Sequence, residues 1–313
     1  MTETTKTVFE KYQVRKSKKH KADFREYVGQ KAAEYGYACS VEKGSFGAKN
    51  IIIGNPESAK VVFTAHYDTC PRLPFPNFIT PKNFFIYLLY QIALTVVILA
   101  LPIIATNIIV GVLSAATGDS ELWLAMAPII AYFSLLIVMW LIMAGPANPN
   151  TANDNTSGVT TLLDIMTAMP ADYKENAAFI FFDLEEMGLL GSAGYAAKHK
   201  NVVKNTLLIN FDCVSDGEHM MFGLKKGAKK YEEALKTAFA GNANVETEVI
   251  SKGYFYPSDQ ANFKCGVGVA ALKKAKPFGT LYMDRIHTKK DVIYRQENIE
   301  FLKNGAIELT KLL

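Results

Sequence analysis

Cysteine is sparse in this chain and never clustered. Cys39, Cys70, Cys213 and Cys265 are its only four, and no two of them form a CxxC pair. A disulfide-stapled secreted scaffold and a thiolate zinc knuckle are both excluded, and a reducing compartment is favoured. Charge is modest as well: 20% of the 313 residues are charged and the net charge is +4. With no long basic stripe and no recognition motif, nucleic acid is excluded as the natural partner. The first residues, Met1 to Lys21, are polar and then basic, without an apolar core or a small-residue cleavage site. They do not read as a signal peptide. Internal repeats and low-complexity segments are absent.

One absence is local and more telling. From Asn83 to Gly118 there is no charged residue, and after Asp119 and Glu121 there is none again from Leu122 to Asn153. As a helix, Leu122–Ala144 would be about 35 Å long, enough for a hydrocarbon core of about 30 Å. The first run, roughly Phe84–Leu113, is longer than a span requires and contains Pro102. It fits a tilted or kinked span, or a span ending near Pro102 and followed by an interfacial turn. Phe84, Phe85, Tyr87, Tyr90 and Trp123 stand near the ends, as interfacial anchors do. The alternative, a helical pair buried in a soluble core, is weakened because such helices seldom stay uncharged on every face. The expectation is a transmembrane hairpin over 83–144. Its short turn, Ala115–Glu121, carries only acids, whereas Arg72 and Lys82 flank the first span. By the positive-inside rule both termini, and the rest of the chain, lie in the cytoplasm.

What remains, residues 1–82 and 145–313, reads as one catalytic domain of α/β type. A polar lead-in over 1–19 has some helical character. Its cluster Arg15-Lys16-Ser17-Lys18-Lys19-His20-Lys21 would either attract an anionic membrane surface or form a solvated helix face. Phe24, Val28 and Ala32 predict a helix over 21–36, stopped by Gly36. Strands are predicted at 50–53, 60–65, 177–183, 206–212 and 245–251, with a short apolar stretch at 267–272. Helices are predicted at 157–169, 192–200, 230–239 and 298–312. This alternation predicts a mostly parallel central sheet with helices on both faces, interrupted by the hairpin.

The chemistry gathers at the predicted strand ends. Lys60 to Ala65 is an apolar strand that runs into His66-Tyr67-Asp68. Residues i and i+2 of an extended chain share a face, so an imidazole able to hold a metal stands beside a carboxylate able to orient it. Four further clusters follow: Asn153-Asp154-Asn155-Thr156-Ser157-Gly158, Glu185-Glu186-Met187-Gly188, Asn210-Phe211-Asp212 and His287-Thr288. Glu185 and Glu186 are adjacent, so their side chains diverge and can take different tasks.

The order HxD, NDN-x-SG, EE-x-GL-x-GS, NxD and HT-x-x-D resembles the co-catalytic zinc exopeptidases, a family that includes bacterial leucyl aminopeptidases, glutamate carboxypeptidase and glutaminyl cyclases. The resemblance covers about 25–72 and 145–300 and leaves the hairpin outside. It implies that His66, Asp154, Glu186, Asp212 and His287 bind two metal ions, with Asp154 bridging and a cis peptide after it. It implies Asp68 as the hydrogen-bond partner of His66 and Glu185 as general base. Two histidines and three carboxylates suit two zinc ions, with cobalt or manganese chemically possible. One departure concerns the substrate pocket, where a Ser-Asp-His segment is usual and Ser258-Asp259-Gln260 stands here. Tyr254, Phe255, Tyr256 and Phe263 read as an apolar pocket wall or as core aromatics. His20, His199 and His219 are expected at the surface, Cys70 and Cys213 as bystanders, and Asp183 in a structural role.

Three functions follow as expectations. The first is a membrane-anchored zinc hydrolase of peptides, most simply an aminopeptidase. The second is an amidase acting on amphipathic N-acyl amino acids or lipidated peptides. The third is a non-catalytic membrane binding protein of the same fold, which the presence of every expected ligand and of Glu185 disfavours.

Overall fold

Two strands, Val61–His66 and Ala177–Phe182, are buried at every residue in the computed structural model, which describes all 313 residues. Unbroken apolar runs of this kind belong to strands covered on both faces. Before the first of them come α1 (Glu3–Lys11), α2 (Lys18–Glu34), β1 (Cys39–Lys43) and β2 (Lys49–Ile53), so Val61–His66 is β3. The long helices α3 (Phe84–Thr117) and α4 (Ser120–Ala144) follow, then α5 (Gly158–Ala168) and Ala177–Phe182 as β4. The chain continues through α6 (Leu190–Lys198), α7 (Lys200–Asn205), β5 (Leu207–Phe211), β6 (His219–Leu224) and α8 (Glu232–Ala238). It closes with β7 (Glu246–Ile250), β8 (Gly266–Lys274), β9 (Leu281–Tyr282) and α9 (Gln296–Leu312).

The strands form one sheet in the order β1-β2-β4-β3-β5-β8-β6-β7, with β9 on β8. Its centre, β4-β3-β5-β8, is parallel throughout. The flanks carry the antiparallel pairs, β1 with β2, β2 with β4, and β6 with β8. Alternation along β3 sorts the core: Val61, Phe63 and Ala65 pack under α5 and α9, while Val62 faces Tyr195 of α6 and Val202 of α7. The expected mostly parallel centre is therefore present, inside a mixed sheet.

Several elements differ from expectation for identifiable reasons. β6 was not expected, because His219-Met220-Met221-Phe222-Gly223-Leu224 has no period-two pattern and contains a glycine. It is nonetheless buried at every residue. His219 is buried with it, between Glu246 and Glu248, and not at the surface. The helix expected at 192–200 is two helices, broken at His199. Arg15 is not on a solvated face. It is fully buried, and its guanidinium donates to Tyr67 O (2.6 Å), Tyr12 O (2.7 Å) and Thr156 Oγ1 (3.2 Å), tying the exit of β3 to the turn before α5. Lys21 pairs with Asp183 at 2.8 Å, which gives Asp183 the structural role expected of it.

α3 and α4 are both long and apolar enough to cross a membrane. They pack against each other away from the sheet, with Ile92, Val96, Ile103, Phe133 and Trp140 among many exposed apolar side chains, so the alternative of a buried pair does not hold. α3 has 34 residues and runs through Pro102 without ending there. That is about 51 Å, well beyond the thickness of a hydrocarbon core.

Asp164 of α5 is buried and accepts a hydrogen bond from Thr2 Oγ1 at 3.0 Å. Burial raises its pKa to about 6. A raised carboxyl favours the folded state fully below its unfolded pKa of about 3.9, and that contribution is lost as pH rises through about 6. Asp164→Asn is expected to be more stable than the parent at pH 8 by the order of 2 kcal/mol, seen as a higher unfolding temperature in thermal melts, and the gap should close toward pH 4.

Candidate metal centre

The parallel strands deliver their C-terminal ends to one place, and four of the five expected ligands arrive there on or just beyond strands and the turn opening α5. His66 ends β3, Asp212 follows β5, Glu186 lies four residues beyond β4, and Asp154 sits in the turn Ala152–Ser157. His66 Nε2 stands 3.2 Å from Asp154 Oδ1 and 3.4 Å from Asp212 Oδ1. The other oxygen of Asp154, Oδ2, is 3.1 Å from His287 Nε2, which is 3.2 Å from Glu186 Oε2. The cluster thus has two halves joined through one carboxylate. The Asp154–Asn155 peptide is cis.

These separations fit metal ligation. Two ligand atoms each about 2.0–2.1 Å from a tetrahedral ion stand about 3.3–3.4 Å apart, close to each of the four contacts. Glu186 Oε1 is buried without any hydrogen-bond partner, an orphan that a cation would satisfy. His66 Nδ1 lies 3.1 Å from the carbonyl of Asp68. With the proton on Nδ1 donated to that carbonyl, the Nε2 lone pair is free for a metal.

The electrostatics point the same way. Burial alone lowers the His66 pKa, but Glu185, Asp154, Asp212 and Asp68 together outweigh it and hold the imidazole well above its usual value. His287 is held up by Glu186 and Asp154 against the same effect of burial. Burial pushes the Glu185 carboxyl well up, with His66 opposing and Asp212 and Glu186 adding to the rise. So many carboxylates in one buried place require compensating positive charge, as protons or as metal ions.

Asp68 does something other than expected. Its carboxylate is 3.6 Å from His66 Nδ1, farther than its own carbonyl. Its oxygens instead accept from the backbone of Glu185 (3.0 Å) and Glu186 (3.3 Å). It pins the segment that carries both glutamates. Asp291, the last residue of HT-x-x-D, plays the matching part on the other side, accepting from Asn153 N (2.7 Å) and Asp154 N (3.0 Å). Its role was not assigned from sequence, although its place three residues after Thr288 marked it. Asn155 bridges strand ends by donating to Phe211 O at 3.0 Å. Leu184, Cys213 and His287 all have left-handed backbone, with φ of 58°, 57° and 65°. Strain of this kind in non-glycine residues collects where a side chain must be aimed.

A cavity of about 270 Å³ opens beside the cluster, bounded by Glu185, Leu189, Tyr256, Pro257, Ile79 and Ile286. Of the four aromatics expected as its wall only Tyr256 lines it, its hydroxyl donating to Asp212 O at 2.9 Å. Phe263 belongs to the core under α6, Tyr254 covers Gly223, and Phe255 packs on Phe84 and Tyr87 of α3. Gln260 is a buried brace between Asn210 (3.0 Å) and Tyr256 O (2.8 Å). Beside it both oxygens of Asp259 are buried without a partner, and burial raises its pKa to about 7. Cys70 and Cys213 lie against the cluster as buried thiols, and burial holds both well above the usual thiol range.

The segments entering and leaving the α3–α4 hairpin are joined to each other and to the His287 loop. Arg72 N donates to Pro146 O (2.8 Å), and Asn148 N to Cys70 O (3.2 Å). Leu73 N donates to His287 O (2.8 Å), Asn148 Nδ2 to Thr288 O (3.0 Å) and Asn150 Nδ2 to Lys289 O (2.8 Å).

A parallel-centred sheet with paired imidazole–carboxylate sets at its strand ends defines the zinc-exopeptidase fold. The chain belongs to peptidase family M28, whose profile matches residues 139–308, more than half of its length. That match takes in four of the five clustered residues and leaves out His66. Among solved structures, the glutaminyl cyclase of Porphyromonas gingivalis superposes with a TM-score of 0.57 at 15% identity, over 98% of each chain. The Legionella pneumophila LapA aminopeptidase superposes with a TM-score of 0.55 at 15% identity, over 98% of this chain and 67% of that one. A Zn-dependent exopeptidase from Parabacteroides distasonis superposes with a TM-score of 0.51 at 16% identity, over 98% and 97%. At such identities the likeness is one of fold. No curated protein matches the chain.

Because Asp68 and Asp291 fix the segments that carry ligands, Asp68→Ala and Asp291→Ala are each expected to weaken metal retention by about 10–100-fold. Metal content after dialysis against graded chelator reads the effect, and retention equal to that of the parent would refute the assignment.

Proposed function

We propose that this chain is a membrane-anchored dinuclear zinc hydrolase that cleaves amide bonds of peptides, most simply an aminopeptidase. The observation that carries the reading is Asp154, whose two oxygens face two different imidazoles, each with a further carboxylate of its own. His66, Asp212 and Asp154 would hold one ion, and His287, Glu186 and Asp154 the other. Zinc is supported by the donor set and by the Zn-dependent exopeptidase of like fold. When bound, such a pair would supply Lewis acidity and lower the pKa of a water molecule to about 7.

The chain's own residues do the rest. Glu185 has its backbone pinned by Asp68 and its side chain in the cavity, where it takes a proton from the attacking water and returns it to the leaving nitrogen. Its raised pKa suits both halves of that exchange better than an ordinary carboxylate would. Tyr256, Ile79, Ile286 and Pro257 give the cavity an apolar wall sized for one side chain of the substrate. Residues 83–144 act as the transmembrane hairpin, with both termini and the catalytic part on the cytoplasmic side.

A second reading is favoured by one observation. A cavity of about 500 Å³ extends from Glu186, past Leu184 and Met187, to Met143 and Ala144 in the last turn of α4, with Lys16 and His20 at its rim. An N-acyl amino acid or lipidated peptide could lay its chain there and reach the same centre from the bilayer.

Purified protein assayed with aminoacyl-arylamides and with N-acyl amino acids separates the two readings, since cleavage of only the free-amine substrates refutes the second. In either assay Glu185→Gln is expected to lower kcat by about 10²–10⁴-fold while metal content stays at two ions per chain. Undiminished turnover would remove Glu185 from the mechanism.

A further inference from the structure

The most exposed large apolar side chain in the protein lies outside the metal cluster. Phe278 is 87% exposed at the tip of the turn joining β8 to β9, in Lys273-Lys274-Ala275-Lys276-Pro277-Phe278-Gly279. The turn is closed by Ala275 N donating to Thr280 O (2.9 Å) and Gly279 N to Ala275 O (2.7 Å), with Gly279 at φ 70°. Phe278 is thus held outward on a built turn. Lys274 and Lys276 are exposed on either side of Ala275, Lys274 in a loose surface pair with Glu246 at 3.8 Å.

This turn sits at the root of the hairpin. Phe278 and Gly279 share a cleft with Lys82 and with Asn83, the residue that caps the start of α3. An aromatic chain ties the two together: Tyr282 of β9 meets Phe78 at 6.1 Å, and Phe78 meets Tyr90 of α3 at 5.3 Å. Phe84 and Phe85, in the first turn of α3, are themselves exposed and apolar. An exposed phenylalanine with flanking lysines, beside the first turn of a spanning helix, is the composition of an interfacial anchor.

We propose that the turn 275–279 is a second membrane contact of this protein. Phe278 seats in the boundary between headgroups and acyl chains, and Lys274 and Lys276 engage anionic headgroups. The inference rests on the hairpin spanning the bilayer. A second attachment beside the α3 root would restrict the tilt of the catalytic domain, because a single hairpin leaves a domain free to rock. The cleft that contains Asn77 and Ile79, beside Phe78, would then open close to the membrane surface.

The two native tryptophans, Trp123 and Trp140, both lie in α4, so the test separates the two levels. In phosphatidylcholine bilayers carrying lipids brominated at shallow acyl positions, quenching of Trp123 and Trp140 in the parent reports the hairpin itself. A Trp123→Phe, Trp140→Phe, Phe278→Trp chain then reports the turn. Its emission is expected at shorter wavelength than in the same background with Phe46→Trp, and quenched where the latter is not. Phe46, 84% exposed beside the edge strand β1, is the solvent reference. Adding phosphatidylserine should deepen the quenching at 278, and Lys274→Glu with Lys276→Glu should abolish that gain. Water-like, unquenched emission at 278 alongside quenched Trp123 and Trp140 overturns the second contact and leaves the hairpin standing. Unquenched tryptophans in the parent overturn both.

Discussion

The structure depends on mutual repulsion among buried carboxylates. Asp68, Asp154, Glu185, Glu186 and Asp212 converge within one small volume, and only the imidazoles of His66 and His287 stand among them. Isolated, such a group would protonate or drive its side chains apart. The fold prevents the second outcome by pinning backbone rather than side chains. Asp68 holds the amides of Glu185 and Glu186, Asp291 holds those of Asn153 and Asp154, and left-handed backbone aims His287 inward. Positive charge is then the remaining way to relieve the cluster.

The same pinning explains a division of labour among residues of one type. Asp68 and Asp154 are both buried carboxylates beside His66, yet one accepts two backbone amides and the other faces two imidazoles. A carboxylate whose oxygens are already filled by N–H donors has little left to offer a cation. One that faces lone pairs on both sides is open to two. Hydrogen-bond occupancy, rather than residue type or burial, separates these two acids.

Much of this was legible in the chain before any coordinates. The parallel centre followed from apolar runs punctuated by helical periodicity, and the five residues that cluster at the strand ends were those the family resemblance implied. What was not legible depended on partners distant in sequence. Arg15 reads as part of a basic run because nothing local reveals the carbonyl of Tyr67 and the hydroxyl of Thr156 that its guanidinium meets. His219 looked superficial because β6 has no alternating pattern, its burial being imposed by β8 and β7 on either side. The actual partners of the Asp68 carboxylate were equally hidden, because the i,i+2 rule places two side chains on one face without saying that a third segment competes for one of them.

The hairpin's feet bear on the geometry of the cluster. Leu73 holds the carbonyl of His287, and Asn148 and Asn150 hold those of Thr288 and Lys289, so the loop that carries His287 is positioned by the segments that flank the hairpin. The loop is thereby coupled to the α3–α4 pair: a shift at the feet of the two helices is passed through three hydrogen bonds to the backbone that aims this imidazole.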